Sequence, residues 1–295
     1  MAKSLTLSAV FQANSLNYGE GTANISELKK FHRGNGKVYT FASRQSLRYD
    51  IVRMGNEMFS WNLNTVDKSK QVIQFKEEVT IEDSVEMDLF GYLKTGSKSK
   101  KRSAVARLSH ALSLEPYNGD MEFLNNMGLA ERIGETPNLA NLEQHQSHYA
   151  YHLTVDLHKV GVDGDIVLPL AERVQRVHQL LDILKLLYRD IKGRRENLSP
   201  LLVIGGVYDS SNPHFMGHVQ IHKSHNGWNL DVSRLADVMK LTWNGKSVGE
   251  STAIGVVSGW IANEDELRTA FTNRVLTVED FFARVKRDVE QGFGA

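Results

Sequence analysis

The 295-residue chain has no cysteine. Disulfide frameworks and thiolate metal sites are therefore excluded, which agrees with a cytoplasmic location. No apolar run approaches the length of a membrane span, and the start, Met1-Ala2-Lys3-Ser4-Leu5-Thr6, leads into alternation instead of a signal-peptide core. No membrane partner is expected. Lys+Arg and Asp+Glu number 35 each, so the chain as a whole lacks the basic excess that marks many nucleic-acid binders. Catalytic signatures are missing as well. There is no Gly-x-Ser-x-Gly and no cysteine nucleophile, and neither the Gly19/Gly21 loop nor the Gly205-Gly206 pair completes a dinucleotide or P-loop fingerprint. The residues point to no enzyme and no cofactor.

With 41% hydrophobic residues the chain can bury a sizeable core, as one large domain or two small ones. The charge that cancels overall is unevenly spread. Residues 29–53 hold Lys29, Lys30, Arg33, Lys37, Arg44, Arg48 and Arg53 against Asp50 alone, and residues 94–107 hold Lys94, Lys98, Lys100, Lys101, Arg102 and Arg107 with no acid. Between them lies the acidic run Glu77, Glu78, Glu82, Asp83, Glu86 and Asp88. Separate positive and negative surfaces are expected, which suits an anionic ligand on one side or copies docking front to back.

The first basic stretch, Tyr39 to Met54, reads as a short strand turning into a helix. Ser43 is a good N-cap, and Leu47, Ile51 and Met54 lay one apolar stripe. Helix starts favour acids, yet Arg44 and Arg48 stand in the first turns beside Ser43, Gln45 and Ser46. These residues fit a phosphate site and a solvated basic helix start equally well.

Alternation predicts strands over residues 5–12, 84–94 and 148–157, and further strands over 38–41, 58–63, 105–114 and 217–222. The apolar run 201–207 reads as a buried strand in which Gly205-Gly206 admits a second backbone or a ligand. Residues 95–102 read as a flexible loop. Helices are expected over 169–192, with Pro169 as start and Gly193 as stop, and over 232–240, 265–273 and 278–291. Residues 115–147 lose all periodicity to Pro116, Gly119, Gly128, Gly134 and Pro137 but keep Met121, Phe123, Leu124 and Met127, so they read as an insertion without regular elements. It either extends from the core or folds back over it. The element order predicts an α+β core of the ferredoxin-like kind.

His145, His148, His152 and His158, with His214, His218, His222 and His225, invite a metal reading. Strand geometry argues against it, since His148 and His152 would stand roughly 13 Å apart. What remains is basic surface, amides and interleaved rings (Tyr18, Phe31, Tyr39, Phe41, Tyr49), a mixture that suits single-stranded nucleic acid.

The chain resembles the backbone subunit of the CRISPR Cascade surveillance complex, in the DevR branch found in type I-B systems. The resemblance is carried by Asn14-Ser15-Leu16-Asn17-Tyr18-Gly19-Glu20, Ser43-Arg44-Gln45-Ser46-Leu47-Arg48-Tyr49, Asp88-Leu89-Phe90-Gly91, residues 110–120, Tyr149 to Asp156 and Leu201 to Tyr208. It implies one RRM-like palm over residues 1–295 with a thumb inserted at 115–147. The implied partners are CRISPR RNA, the target DNA strand, further copies of the chain and other Cascade subunits. The expected RNA-binding set is Asn14, Asn17, Arg33, Lys37, Ser43, Arg44, Gln45, Ser46, Arg48, Lys101, Arg102, Gly205 and Gly206, with Met121 or Phe123 wedged beside a displaced base. Related type III subunits cut target RNA with an aspartate after the first strand. Residues 12–38 contain no Asp, and Glu20 is the nearest substitute, so a metal-dependent RNA endonuclease is the alternative.

Overall fold

The strand β1 (Ser4–Ala13) was expected to be half-buried, yet both of its faces are covered and only Gln12 is exposed. The reason lies in its neighbours. Around it the chain forms β2 (Lys30–His32), β3 (Val38–Ala42), α1 (Arg44–Phe59), α2 (Val85–Phe90), β4 (Ala106–Leu108) and β5 (Ala111–Ser113). There follow β6 (Asp120–Asn125), β7 (Leu139–Gln144), β8 (Ser147–Asp156), α3 (Leu170–Lys185) and β9 (Leu202–Tyr208). The chain ends with α4 (Val232–Lys240), β10 (Ala253–Val256), β11 (Val275–Leu276) and α5 (Val278–Gly294). The computed structural model describes residues 3–21, 23–69, 72–95 and 99–294; Gly96, Ser97 and Lys98 of the expected flexible loop lie outside them.

The main sheet runs β11-β10-β9-β1-β8-β5-β3-β2, with β4 also paired to β8. Its centre, β9-β1-β8 followed by β4 and β5, is antiparallel throughout and arises from β1–α1–β4/β5–β8–α3–β9. This is the expected ferredoxin-like α+β order.

On one face α1, α3 and α5 bury Leu47, Ile51, Val177, Leu181, Phe281 and Val285 against Leu5, Leu7 and Phe11 of β1. The opposite face is covered only in part. A cross-strand row, Val256–Leu202–Val10–Ala150–Leu112–Phe41, crosses six strands. Its first four members are buried in a second core beneath Leu235 of α4, Phe215 and Leu267. Leu112 and Phe41 emerge from that cover, and Phe31 on the neighbouring edge strand is 41% exposed.

Several local expectations are corrected. Residues 84–90 form a helix capped by Ser84 Oγ, which accepts the Met87 N–H at 3.2 Å; only Tyr92–Lys94 is strand. In so short a segment Val85, Met87 and Leu89 fit either periodicity. Residues 58–63 contain no strand, because α1 continues to Phe59 and ends at Ser60 in the left-handed region. Residues 105–114 split into β4 and β5 at Ser109-His110. Leu108 lies opposite Leu153 and Leu112 opposite Ala150, so one extra residue bulges out. The helix expected over 169–192 stops at Lys185. Tyr188–Ile191 pairs with Arg194–Asn197 around Lys192-Gly193, both at positive φ as a two-residue hairpin turn requires. Near residues 217–222 the strand is Ile221–Ser224, paired with Gly227–Leu230.

The insertion is regular after all. β6 and β7 form an antiparallel hairpin, β7 adds Ile25–Ser26 in parallel, and the tip carries the short helix Met127–Ala130. Glu143 anchors its base by accepting the Leu28 N–H and the Lys30 ammonium, each at 2.6 Å. Met121 and Phe123 are 51% and 59% exposed.

A candidate nucleic-acid interface

The start of α1 is tied down by three segments. Ser43 Oγ accepts the Ser46 N–H at 3.2 Å, and the Ser43 N–H donates to Asn17 Oδ1 at 3.0 Å. The Arg44 N–H donates to His110 Nδ1 at 3.2 Å. Two amides of the first turn are therefore used inside the fold. Among the described residues the Gln45 N–H is left without a protein partner. His110 can accept at Nδ1 only while neutral, and burial, with the nearby Arg44 and Lys29 charges, holds its pKa below the usual histidine value. Behind the helix start, Arg189 clamps the loop after β1. Its guanidinium donates to Leu16 O at 2.8 Å and to the buried Asp50 carboxylate at 2.7 Å.

Two adjoining grooves of about 380 and 360 Å³ meet at Arg44 and Leu108. The first is walled by Gln45, Arg48, Phe90 and Arg107; the second by Phe31, Arg33, His110, His152 and Met216. The cations in them differ in their state. Arg48 pairs with Glu86 at 2.7 Å and Arg107 with Asp156 at 2.9 Å. Arg44 and Arg33 form no ion pair among the described residues, so their charge is available to an anion. Phe31 of the second groove stacks on Phe41 at 4.1 Å, and His110 meets both rings edge-on at 5.7 and 5.1 Å.

The remaining expected residues scatter. Asn14 lies on the loop after β1, where its backbone N–H donates to Glu196. Ser46 turns its hydroxyl to Ser43 O at 2.8 Å. Lys37 is exposed and lines a separate groove with Tyr117, Lys223 and Trp228. Lys101 is exposed on the hairpin Tyr92–Lys94/Lys100–Arg102. Arg102 leaves the expected set: its side chain is 7% exposed, paired with Asp88 at 2.5 Å, and donates to Lys159 O. Gly205 and Gly206 leave it too. Both are buried, and a Cβ would collide with Thr6 O on the first and Ser251 O on the second, so the room the glycines make is taken by the chain's own backbone.

The histidines have other partners. His152 shares a 2.6 Å hydrogen bond with Ser8, His145 one of 2.7 Å with Thr40, and His148 bridges Glu115 and the Trp260 indole. Glu20 is exposed, and no group of three potential metal ligands occurs among the described residues. No helix of the described residues is long and apolar enough to cross a membrane. Sequence reasoning missed His110, Arg107 and Met216 as groove residues. Phe31 and Phe41 were a visible signal for the aromatic part, whereas nothing local marks Met216, which the fold brings from more than 100 residues beyond Arg107.

Fold and groove together define an α+β protein whose edge strand carries an exposed ring, beside two arginines that form no ion pair among the described residues. The chain belongs to the family described as CRISPR-associated negative auto-regulator DevR/Csa2, whose profile it matches over residues 5–226. It is 31% identical over 183 residues to the CRISPR-associated protein Cas7/Cst2/DevR of Myxococcus xanthus (strain DK1622). That match covers 54% of this chain and 58% of the relative. Its fold is similar to a solved chain of a CRISPR RNA-guided surveillance complex, pre-nicking, with TM-score 0.62 and 12% identity over 98% of this chain and 100% of the other. A second, from a CRISPR RNA-guided surveillance complex, has TM-score 0.61 and 12% identity over 96% and 98%. At that identity the likeness is one of fold.

Proposed function

We propose that the chain is a non-catalytic backbone subunit of a CRISPR Cascade complex, holding the spacer part of CRISPR RNA and presenting it to a target DNA strand. The observation that carries this is the Arg44 groove. Two cations without counter-charges among the described residues, a free amide at the start of α1 and the exposed Phe31 ring meet in adjoining grooves, in a chain of a CRISPR-associated family. Such a set binds phosphates and tolerates any base sequence. The hairpin β6–β7 is proposed as a thumb on an RRM-like palm, reaching a neighbouring copy so that subunits line up head to tail. Its exposed Met121, Phe123, Leu129 and Ile133 support an arm that extends and does not fold back.

The purified chain is expected to carry RNA, read from the 260/280 nm absorbance ratio and a gel of extracted nucleic acid. In a salt series, two unrelated single-stranded RNAs of equal length should bind alike and weaken steeply together. A strong base-sequence preference that persists at high salt would overturn phosphate-led binding. The endonuclease alternative is separated by incubating bound RNA with Mg²⁺: intact RNA is expected, and cleavage abolished by Glu20→Gln would establish the enzyme.

A further inference from the structure

The groove beside Arg44 contains a ring with one unused face. Phe31 stacks on Phe41 with an interplanar angle of 14°, the two lying diagonally across the β2–β3 pair. The pair is braced by the edge of His110, whose Nδ1 holds the Arg44 N–H. The second core stops short of this corner, so Phe31 remains 41% exposed while Arg33 and Arg44 line the same groove. An exposed ring beside unpaired cations suits a ligand with both a flat apolar face and a negative charge, and a nucleotide has both.

Resting on the RNA reading of this groove, we propose that Phe31 is a base-stacking residue: one nucleobase of the bound strand lies on its outer face while Arg44 and Arg33 hold the flanking phosphates. His110 acts as a positioning residue, fixing the rings and the Arg44 backbone at once. The stack reads no base identity, because every base offers a π-face. It differs from the arm residues Met121 and Phe123 in sitting on the sheet, so it registers the strand on the subunit itself.

The test uses the full chain and single-stranded RNAs carrying one 2-aminopurine at successive positions, whose fluorescence is quenched on stacking. The parent is expected to bind with quenching at particular positions. Phe31→Leu should melt near the parent temperature and keep a salt-dependent affinity, but lose that quenching and bind roughly tenfold more weakly. Phe31→Tyr should restore both, which separates loss of the ring from loss of fold. A Phe31→Leu chain that quenches and binds like the parent overturns the stacking role alone. A parent that binds no RNA overturns the groove reading and this one with it, and the parent arm shows that directly. If Phe31→Leu instead abolishes self-association measured by sedimentation without RNA, the ring is covered by a second copy and the proposal is overturned.

Discussion

Arg102 and Arg44 stand in the two most basic stretches of the chain, and the fold uses them in opposite ways. Arg102 is drawn inside with Arg176 to meet Asp88, which is fully buried and also accepts the Gly161 N–H. Lys94 from the same stretch is buried as well, donating to Glu77 O and Val79 O. The stretch around Arg44 gives up Lys30 to Glu143, Arg48 to Glu86 and Arg53 to Glu57, but keeps Arg33 and Arg44 without ion pairs among the described residues. The acidic run is divided in the same way: Asp88 and Glu86 supply internal counter-charges, whereas Glu77, Glu78, Glu82 and Asp83 stay exposed, as its composition suggested. A basic run in sequence is a quantity of charge; its function depends on which cations the fold leaves unneutralised.

The contrast can be broken most strongly at Asp88. Asp88→Asn removes the buried carboxylate that Arg102 and Arg176 share, leaving them only the less buried Asp163 and Glu172, and a loss of about 3–5 kcal/mol is expected in urea unfolding. A loss under 1 kcal/mol would show that the two arginines find other partners.

His152, buried at the wall of the second groove, sets a second, pH-dependent difference from the exposed Arg44. Burial lowers its pKa to about 4, below its ordinary 6.5. The unfolded chain then binds the extra proton between those values, so this contribution to stability is present above pH 6.5 and is lost as pH falls towards 4. The shift corresponds to about 3 kcal/mol. Urea midpoints of the parent and of His152→Asn should diverge at pH 7 and approach one another by pH 4. Parallel curves would remove the assignment.

Arg44→Ala sharpens the comparison from the other side. With no ion pair among the described residues to lose, it should change stability by less than about 0.5 kcal/mol. The same substitution should strip copurifying RNA and lower the salt slope of binding by about 1. Arg48→Ala, whose parent side chain already faces Glu86, should weaken RNA binding less. An Arg44→Ala chain loaded with as much RNA as the parent would move the anion site elsewhere.

The smallest effect on the monomer is expected on the arm. Met121→Ser with Phe123→Ser removes apolar side chains that are already more than half exposed, so melting should be unchanged within about 0.5 kcal/mol. Assemblies formed on long RNA should shorten in size-exclusion chromatography. Full-length assemblies from this variant would mean that the arm does not join neighbours through these side chains.

Much of the local framework was legible in the residues. Ser43 as a cap, the Leu47, Ile51 and Met54 stripe, and the strands at β1, β8 and β9 follow from short-range rules, because a capping hydroxyl and a spacing of three or four act within one turn. The α+β core order could be read from the sequence of elements. Short segments failed where two periodicities fit six residues, as at Val85–Phe90, and where a hairpin turn cut a continuous apolar stripe, as at Lys192-Gly193.

Everything that separates an occupied residue from an available one was decided by tertiary structure. Arg102 and Arg44 look alike in sequence, as do Gly205 and the loop glycines, because their neighbours lie 14 to more than 150 residues away: Asp88 for one, Thr6 for the other. The same holds for the exposed ring of Phe31. Its strand and its alternation are local properties, but it stays uncovered because the second core ends above Ala150, and where a covering layer ends is set by packing across the whole sheet.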